Sequence, residues 1–142
     1  MNILAPVSSI MSKDLITLNP QDSLKVAKEI FDAKRIHHIP VVRYKKIVGI
    51  ISKTDLLYFL KGANHEKEVG RNEKLLEKCV AEDIMTKGMA KLESTDRINV
   101  ALEVFKENLF HAIPVVDNDE LVGIVTTYDI IKALSEDKVK LI

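Results

Sequence analysis

The spacing of apolar residues along the chain changes between two periods, and each change marks an element. The opening is short and mixed, with Ile10 and Met11 as apolar anchors and Ser8 and Ser9 placed to cap a single helical turn. Leu15 to Leu18 reads as a brief strand ended by Asn19 and Pro20, since proline cannot donate to a ladder. From Asp22 or Ser23 the period becomes helical. Leu24, Ala27, Ile30, Phe31 and Ala33 form the apolar stripe, and Lys25, Lys28, Glu29 and Asp32 face water. Ile39 to Val42, with Pro40 at its start, has the β-branched continuity of a strand covered on both faces. The charged turn RYKK joins it as a hairpin to Ile47 to Ile51. Ser52 opens a second helix, with Leu56, Leu57, Phe59 and Leu60 inward and Gly62 as its stop.

The same order then recurs. Shifting the chain by 74 positions lays FHAIPVVDNDELVGIVTTYDII over IHHIPVVRYKKIVGIISKTDLL without a gap, with Pro40 on Pro114, Gly49 on Gly123 and Asp55 on Asp129. Upstream, Ile10 and Met11 fall on Ile84 and Met85, Asp22 on Asp96, Ala27 on Ala101, Phe31 on Phe105 and His37 on His111. The second copy therefore predicts a strand around Met89 to Leu92 and a helix from Asp96 with Ile98, Ala101, Leu102, Phe105 and Leu109 inward. It continues with strands Ile113 to Val116 and Leu121 to Val125 about the turn DNDE, and a last helix from Thr126. Two copies are too few for a solenoid, which needs three or more to bury its faces. The expectation is a pseudo-symmetric pair: repeat 1 over residues 1–60, a connector over 61–79 and repeat 2 over 80–142, each repeat β-α-β-β-α with helices packed on a small sheet. The connector reads as a polar loop around Gly70 followed by a helical turn or two in NEKLLEK.

Composition narrows the function. The chain has 142 residues, 46% of them apolar and 30% charged, which is ordinary for a globular protein. A unit of about 60 residues buries only about 60% of its unfolded surface, so each repeat is expected to need the other. No apolar run reaches the length of about 18 that a membrane span requires, and the N-terminus lacks a signal pattern, so a cytoplasmic protein without membrane insertion is expected. The single cysteine, Cys79, reads as a half-buried small residue of the connector. Net charge is zero, yet residues 1–60 hold nine basic against five acidic side chains, and residues 80–142 hold seven against twelve. An acidic half argues against nucleic acid as partner. The asymmetry either sets orientation when two copies pair or reflects solvated surfaces that have drifted.

Candidate chemistry lies where each hairpin meets its following helix. Ser52 with Asp55, and Thr126 with Asp129, have the spacing of a capping box. The same parts suit a ligand, because a helix N-terminus offers N–H groups to an anion and a carboxylate can hold sugar hydroxyls. Both readings stand. His37 and His111 sit 15 residues ahead of Ser52 and Thr126, with His38 beside the first, as strand-end residues or as phosphate contacts. A metal site is not expected, since His65 is isolated and no second ligand lies at suitable spacing. No nucleophile has a base and an orienting group, so no catalytic residues are assigned.

With these residues in view, each repeat resembles a CBS domain, the module named after cystathionine β-synthase, and the two together resemble the tandem pair called a Bateman module. The likeness rests on Ile10–Met11 and Ile84–Met85, on the IHHIPVV and FHAIPVV strands, and on GIISKTD and GIVTTYD. It implies an α/β fold of two pseudo-symmetric repeats packed sheet to sheet, with clefts that take AMP, ADP, ATP or S-adenosylmethionine as a regulatory ligand rather than a required cofactor. It also implies a homodimer. By position, Asp55 and Asp129 would hold ribose hydroxyls, Ser52 and Thr126 ribose or phosphate, and His37, His38 and His111 phosphate. The backbone at Ile16, Thr17, Ala90 and Lys91 would meet the adenine edge, with Pro40, Val41, Pro114 and Val115 as apolar walls. Ala112 at the place of His38 and DNDE at the place of RYKK count against a highly charged phosphate tail near that turn of the second repeat, and the +4 of the first repeat makes it the better nucleotide site. The resemblance thus implies a stand-alone sensor signalling to an unidentified target protein. The alternative is a ligand-free interaction module that regulates a partner enzyme or transporter.

Overall fold

The computed structural model describes residues 1–63, 71–108 and 110–137; Gly70, His65 and Leu109 lie outside them. The chain forms two compact units that are not the two sequence repeats. The first is Ile16–Met89, and the second joins Met1–Leu15 to Ala90–Ile142. Each unit therefore combines one repeat's helix, hairpin and helix with the opening segment of the other repeat.

In the first unit, α1 (Leu24–Ala33) leads to the hairpin β1 (His38–Arg43) and β2 (Lys46–Ser52), then to α2 (Lys53–Ala63), α3 (Arg71–Lys78) and α4 (Ala81–Ile84). Strands β1 and β2 pair antiparallel from His38 with Ser52 to Arg43 with Lys46, and Val48 is the extra residue of a bulge between the pairs Val41–Gly49 and Val42–Ile47. Leu18 adds a parallel bridge to Val41 on one edge, and Thr86 an antiparallel bridge to Ile50 on the other. The core is Leu18, Leu24, Ala27, Phe31, Ile39, Val41, Ile51, Leu56, Leu76 and Ala81, with Cys79 half-buried against it.

The second unit repeats this pattern with β3 (Leu92–Glu93), α5 (Ile98–Asn108), the hairpin β4 (Ala112–Asp117) and β5 (Glu120–Thr126), and α6 (Thr127–Glu136). Strand β3 runs parallel to β4 through Leu92 and Val115, and β4 pairs antiparallel with β5 around an equivalent bulge. The opening segment, including a 3₁₀ turn at Val7–Ser9, completes it. Ser12 bridges Ile124 as Thr86 bridges Ile50. The docking bonds recur at the 74-residue offset: the Val7 N–H donates to the Asp96 carbonyl as that of Ala81 does to Asp22, and the Ile98 N–H to Ala5 as that of Leu24 does to Cys79. Val7, Leu92, Ile98, Ala101, Ile113, Val115, Val125 and Ile130 form this core.

Several expectations are refined. The strand proposed over Leu15 to Leu18 is reduced to the single Leu18 bridge. The Leu18 N–H donates to the Pro40 carbonyl and the Leu18 carbonyl accepts from Val42, so the next ladder bond toward Ile16 would need an N–H on Pro40. Asp22 does not open α1; its Oδ2 accepts the Asn19 N–H at 2.8 Å, as Asp96 does for Glu93, and the helix begins after Ser23. Ala33 is exposed because it lies about 180° around the helix from Leu24. Leu57 is 57% exposed, since it lies about 100° around the helix from the buried Leu56. Gly62 does not stop α2, which runs through it to Ala63.

What holds each opening segment in place is a methionine on a glycine. A Cβ on Gly49 would lie 2.5 Å from Sδ, 2.6 Å from Cγ and 2.9 Å from Cβ of Met85, and one on Gly123 would lie 2.5 Å from Met11 Sδ and 2.9 Å from its Cγ. Gly49 faces the root of its methionine, which cannot swing aside, whereas Gly123 meets mainly the movable end. Gly49→Ala should therefore cost about 1–3 kcal/mol in urea unfolding, and Gly123→Ala measurably less. Equal losses would show that both methionines yield alike.

Candidate functional site

In the first unit the ladder and one further bond gather the predicted residues. His38 pairs with Ser52 across β1 and β2, and the Lys53 N–H donates to the His37 carbonyl at 2.8 Å, so the loop before β1 is tied to the first turn of α2. Ser52 Oγ accepts the Asp55 N–H at 2.9 Å, and Asp55 Oδ2 accepts the Ser52 N–H at 3.3 Å. This reciprocal arrangement is the capping box that the spacing suggests. It leaves Asp55 half-buried at the head of an 11-residue helix.

The second unit builds the same site more tightly. The Thr127 N–H donates to the His111 carbonyl at 3.1 Å, and Ala112 pairs with Thr126. Asp129 is 8% exposed. Its Oδ2 accepts from the Thr126 N–H at 2.8 Å and from Thr126 Oγ1 at 3.0 Å, while its own N–H donates to Oγ1 at 3.1 Å. Its Oδ1 accepts from Ser12 Oγ at 3.1 Å. Ser12 was not among the predicted residues. The signal lay in the repeat, which sets Ser12 over Thr86, a hydroxyl over a hydroxyl, directly after each anchoring methionine.

The remaining predicted residues lie on the central strand of each unit and on the segment that pairs with it. Ile16 and Thr17, in the first unit, and Ala90 and Lys91, in the second, are the two residues before Leu18 and Leu92, which bridge Val41 and Val115. Because Pro40 and Pro114 carry no N–H, the sheet offers no donor to the Ile16 and Ala90 carbonyls, and this backbone can meet the edge of a base. Thr17 and Lys91 are exposed. Pro40, Val41, Pro114 and Val115 are fully buried and back each site from the core. His37 and His111 are exposed, and His38 is half-buried.

Asp55 also borders a cavity of about 510 Å³ lined by Tyr58, Phe59, Gly62, Leu75 and Ile84. Apart from Asp55 and the Tyr58 hydroxyl this lining is apolar, and Ser52 and His37 are not part of it. It extends along α2 toward α3 and α4. Among the described residues no group of three or more His, Cys, Asp or Glu could hold a metal ion, and no helix is long and apolar enough to cross a membrane.

The family model for the CBS domain matches residues 7–62 and 80–136. Inosine-5'-monophosphate dehydrogenase of Thermoplasma acidophilum is 28% identical over 124 residues, covering 87% of this chain and 22% of the dehydrogenase. The chain thus spans about a fifth of that relative's length. Among solved structures, CBSX2, a CBS-pair protein of Arabidopsis thaliana, in complex with AMP superposes with a TM-score of 0.75 at 26% identity, covering 92% of this chain and 96% of that one. The CBS domain pair of protein MJ0100 in complex with 5'-methylthioadenosine and S-adenosyl-L-methionine gives 0.76 at 27% identity, with 93% and 97% covered.

Removing the two carboxylates should separate their structural roles. Asp129→Ala loses a cap, a buried acceptor and the tie to Ser12, and should cost about 2 kcal/mol in urea unfolding, against about 1 kcal/mol for Asp55→Ala. Ser12→Ala should reduce the cost of Asp129→Ala in a double-mutant cycle, and an additive result would deny the coupling.

Proposed function

The chain belongs to the CBS-domain family, and from that premise we propose that it is a regulatory, non-catalytic module that binds an adenosine ligand and reports it to another protein. The observation that supports the reading most is the cluster built twice: a capped carboxylate, a hydroxyl, a histidine and a stretch of backbone whose ladder donor is missing. These are the parts that a ribose, a phosphate and an adenine edge require. Asp55 and Asp129 would hold ribose hydroxyls. Ser52 and Thr126, with His37, His38 and His111, would meet ribose or phosphate, and the backbone at Ile16–Thr17 and Ala90–Lys91 would meet the base. Pro40, Val41, Pro114 and Val115 would support the base from beneath. Ser12, bonded to Asp129, belongs to the same set. That relatives of similar fold hold AMP, or 5'-methylthioadenosine with S-adenosyl-L-methionine, is consistent with this assignment.

Signalling requires that the ligand favour one arrangement of the protein over another. The target is another protein, and the working form is a homodimer. Leu57 on α2 and Ile131 on α6 occupy equivalent positions of the repeat and are 57% and 62% exposed, with Tyr58, Tyr128 and Leu134 also exposed on these helices. Apolar surface of this kind, present twice, suits self-association.

Two measurements test the proposal. Melting with AMP, ADP, ATP, 5'-methylthioadenosine or S-adenosylmethionine should raise Tm by several degrees for at least one of them, since a ligand at about 100 times its Kd adds about 2.7 kcal/mol. Asp55→Asn with Asp129→Asn, which keeps an acceptor for each cap, should abolish the shift; no shift with any ligand would favour the ligand-free module. Glutamate at both Leu57 and Ile131 should convert a sedimenting dimer to monomer, and an unchanged dimer would place the interface elsewhere.

A further inference from the structure

We infer that the two sites take ligands of different charge: the Asp55 site accepts a nucleoside polyphosphate, and the Asp129 site an adenosine ligand with one phosphate or none. The inference rests on the adenosine reading above and adds a division of labour to it. Between α1 and β1 the chain runs Lys34, Arg35, Ile36, His37, His38, and α2 opens with Lys53. The bond from the Lys53 N–H to the His37 carbonyl brings this loop and the helix start together, two residues from Asp55. Lys34, Arg35 and His37 are exposed and Lys53 is half-buried. Among the described residues Lys34, Arg35 and Lys53 have no ion-pair partner. Two acids of the neighbouring helices are engaged elsewhere, Asp32 by Lys28 at 2.6 Å and Glu77 by Lys25 at 3.7 Å, while Glu29 and Glu73 have no ion pair among the described residues.

At the 74-residue offset the five groups Lys34, Arg35, His37, His38 and Lys53 become Asn108, Leu109, His111, Ala112 and Thr127. Three fixed cations become none, and two imidazoles become one. The backbone contact is retained, from Thr127 to His111, so this part of the framework is the same while its charge differs. Each added phosphate of a nucleotide brings further negative charge and acceptor oxygens, which strengthen binding only where cations lie within about a Debye length of 8–10 Å. The first unit carries three such cations on the loop and helix start that the bond from Lys53 to His37 joins, with Lys53 two residues from Asp55. The second supplies a buried carboxylate, a hydroxyl from Ser12 and one histidine.

Titration calorimetry of the full chain with adenosine, AMP and ATP, in EDTA at low salt, tests this. Asp129→Asn protein isolates the Asp55 site and should bind ATP about tenfold or more tightly than AMP, with the ratio falling as salt rises. Neutralising Lys34, Arg35 and Lys53 together with glutamine should bring that ratio near one. Asp55→Asn protein isolates the other site and should show no preference for ATP. Equal ratios at the two sites, or a ratio that survives the triple change, would overturn the division of labour. Failure of adenosine, AMP and ATP alike to bind either variant or the unmodified chain would instead overturn the adenosine reading itself. Should an aspartate variant not fold, the triple change in the otherwise unmodified chain should remove the tighter ATP phase, and persistence of that phase would refute the inference.

Discussion

Everything in each unit depends on a close approach of chain to chain that only glycine permits. Met85 lies where a side chain at Gly49 would be, and Met11 where one at Gly123 would be. With the methionine seated, the following hydroxyl residue pairs with the second strand of the hairpin, Thr86 with Ile50 and Ser12 with Ile124. Backbone bonds then tie the rest of the segment to the loop before the helix. The second strand of each hairpin thereby gains a reciprocal pair of backbone bonds, at Ile50 in one unit and at Ile124 in the other. Since each methionine comes from the opening of the other repeat, neither repeat has a complete core of its own. This gives the small size of the repeat its structural answer.

A second constraint is the proline that begins each central strand. Pro40 and Pro114 sit fully buried in a sheet, a place where a missing N–H usually costs a ladder bond. Here the loss falls on the edge, and it ends the pairing of the first strand after one residue in the first unit and two in the second. Backbone that would otherwise be a strand is left without a ladder donor, so one residue both truncates the sheet and leaves a carbonyl acceptor that the sheet does not use.

Much of this was legible from residue order. The repeat offset, the hairpins, the helix faces and the cap pairs Ser52–Asp55 and Thr126–Asp129 follow from periodicity and turn chemistry, and the structure places the caps where the spacing puts them. The exchange of opening segments was not legible, because an alignment of repeats assigns Met11 to the sequence that follows it, and only packing shows which hairpin it covers. Ser12 was missed for the same reason, since its bond to Asp129 spans 117 positions. Leu57 was misjudged because four apolar residues within five positions cannot all share one face of a helix. The short first strand was overread because propensity does not register what its partner lacks.

Duplication gives two equal frameworks, and what has changed between them is chemistry rather than geometry. The hairpins share a register and a bulge, and the loop-to-helix bond is kept in both. The loop before the first hairpin carries Lys34 and Arg35 and is tied by the bond from the Lys53 N–H to the His37 carbonyl to the helix start that holds Asp55, while the counterpart loop has no lysine or arginine. In the second unit the carboxylate is more buried and its second oxygen is taken by a neighbouring hydroxyl, which restricts what else it can accept. Burial and charge thus move in opposite directions at the two sites, the more open one gaining cations and the more enclosed one gaining hydrogen bonds. A module with two such sites can respond to two ligands of different charge, and a ratio of concentrations is then a signal that a single site could not read.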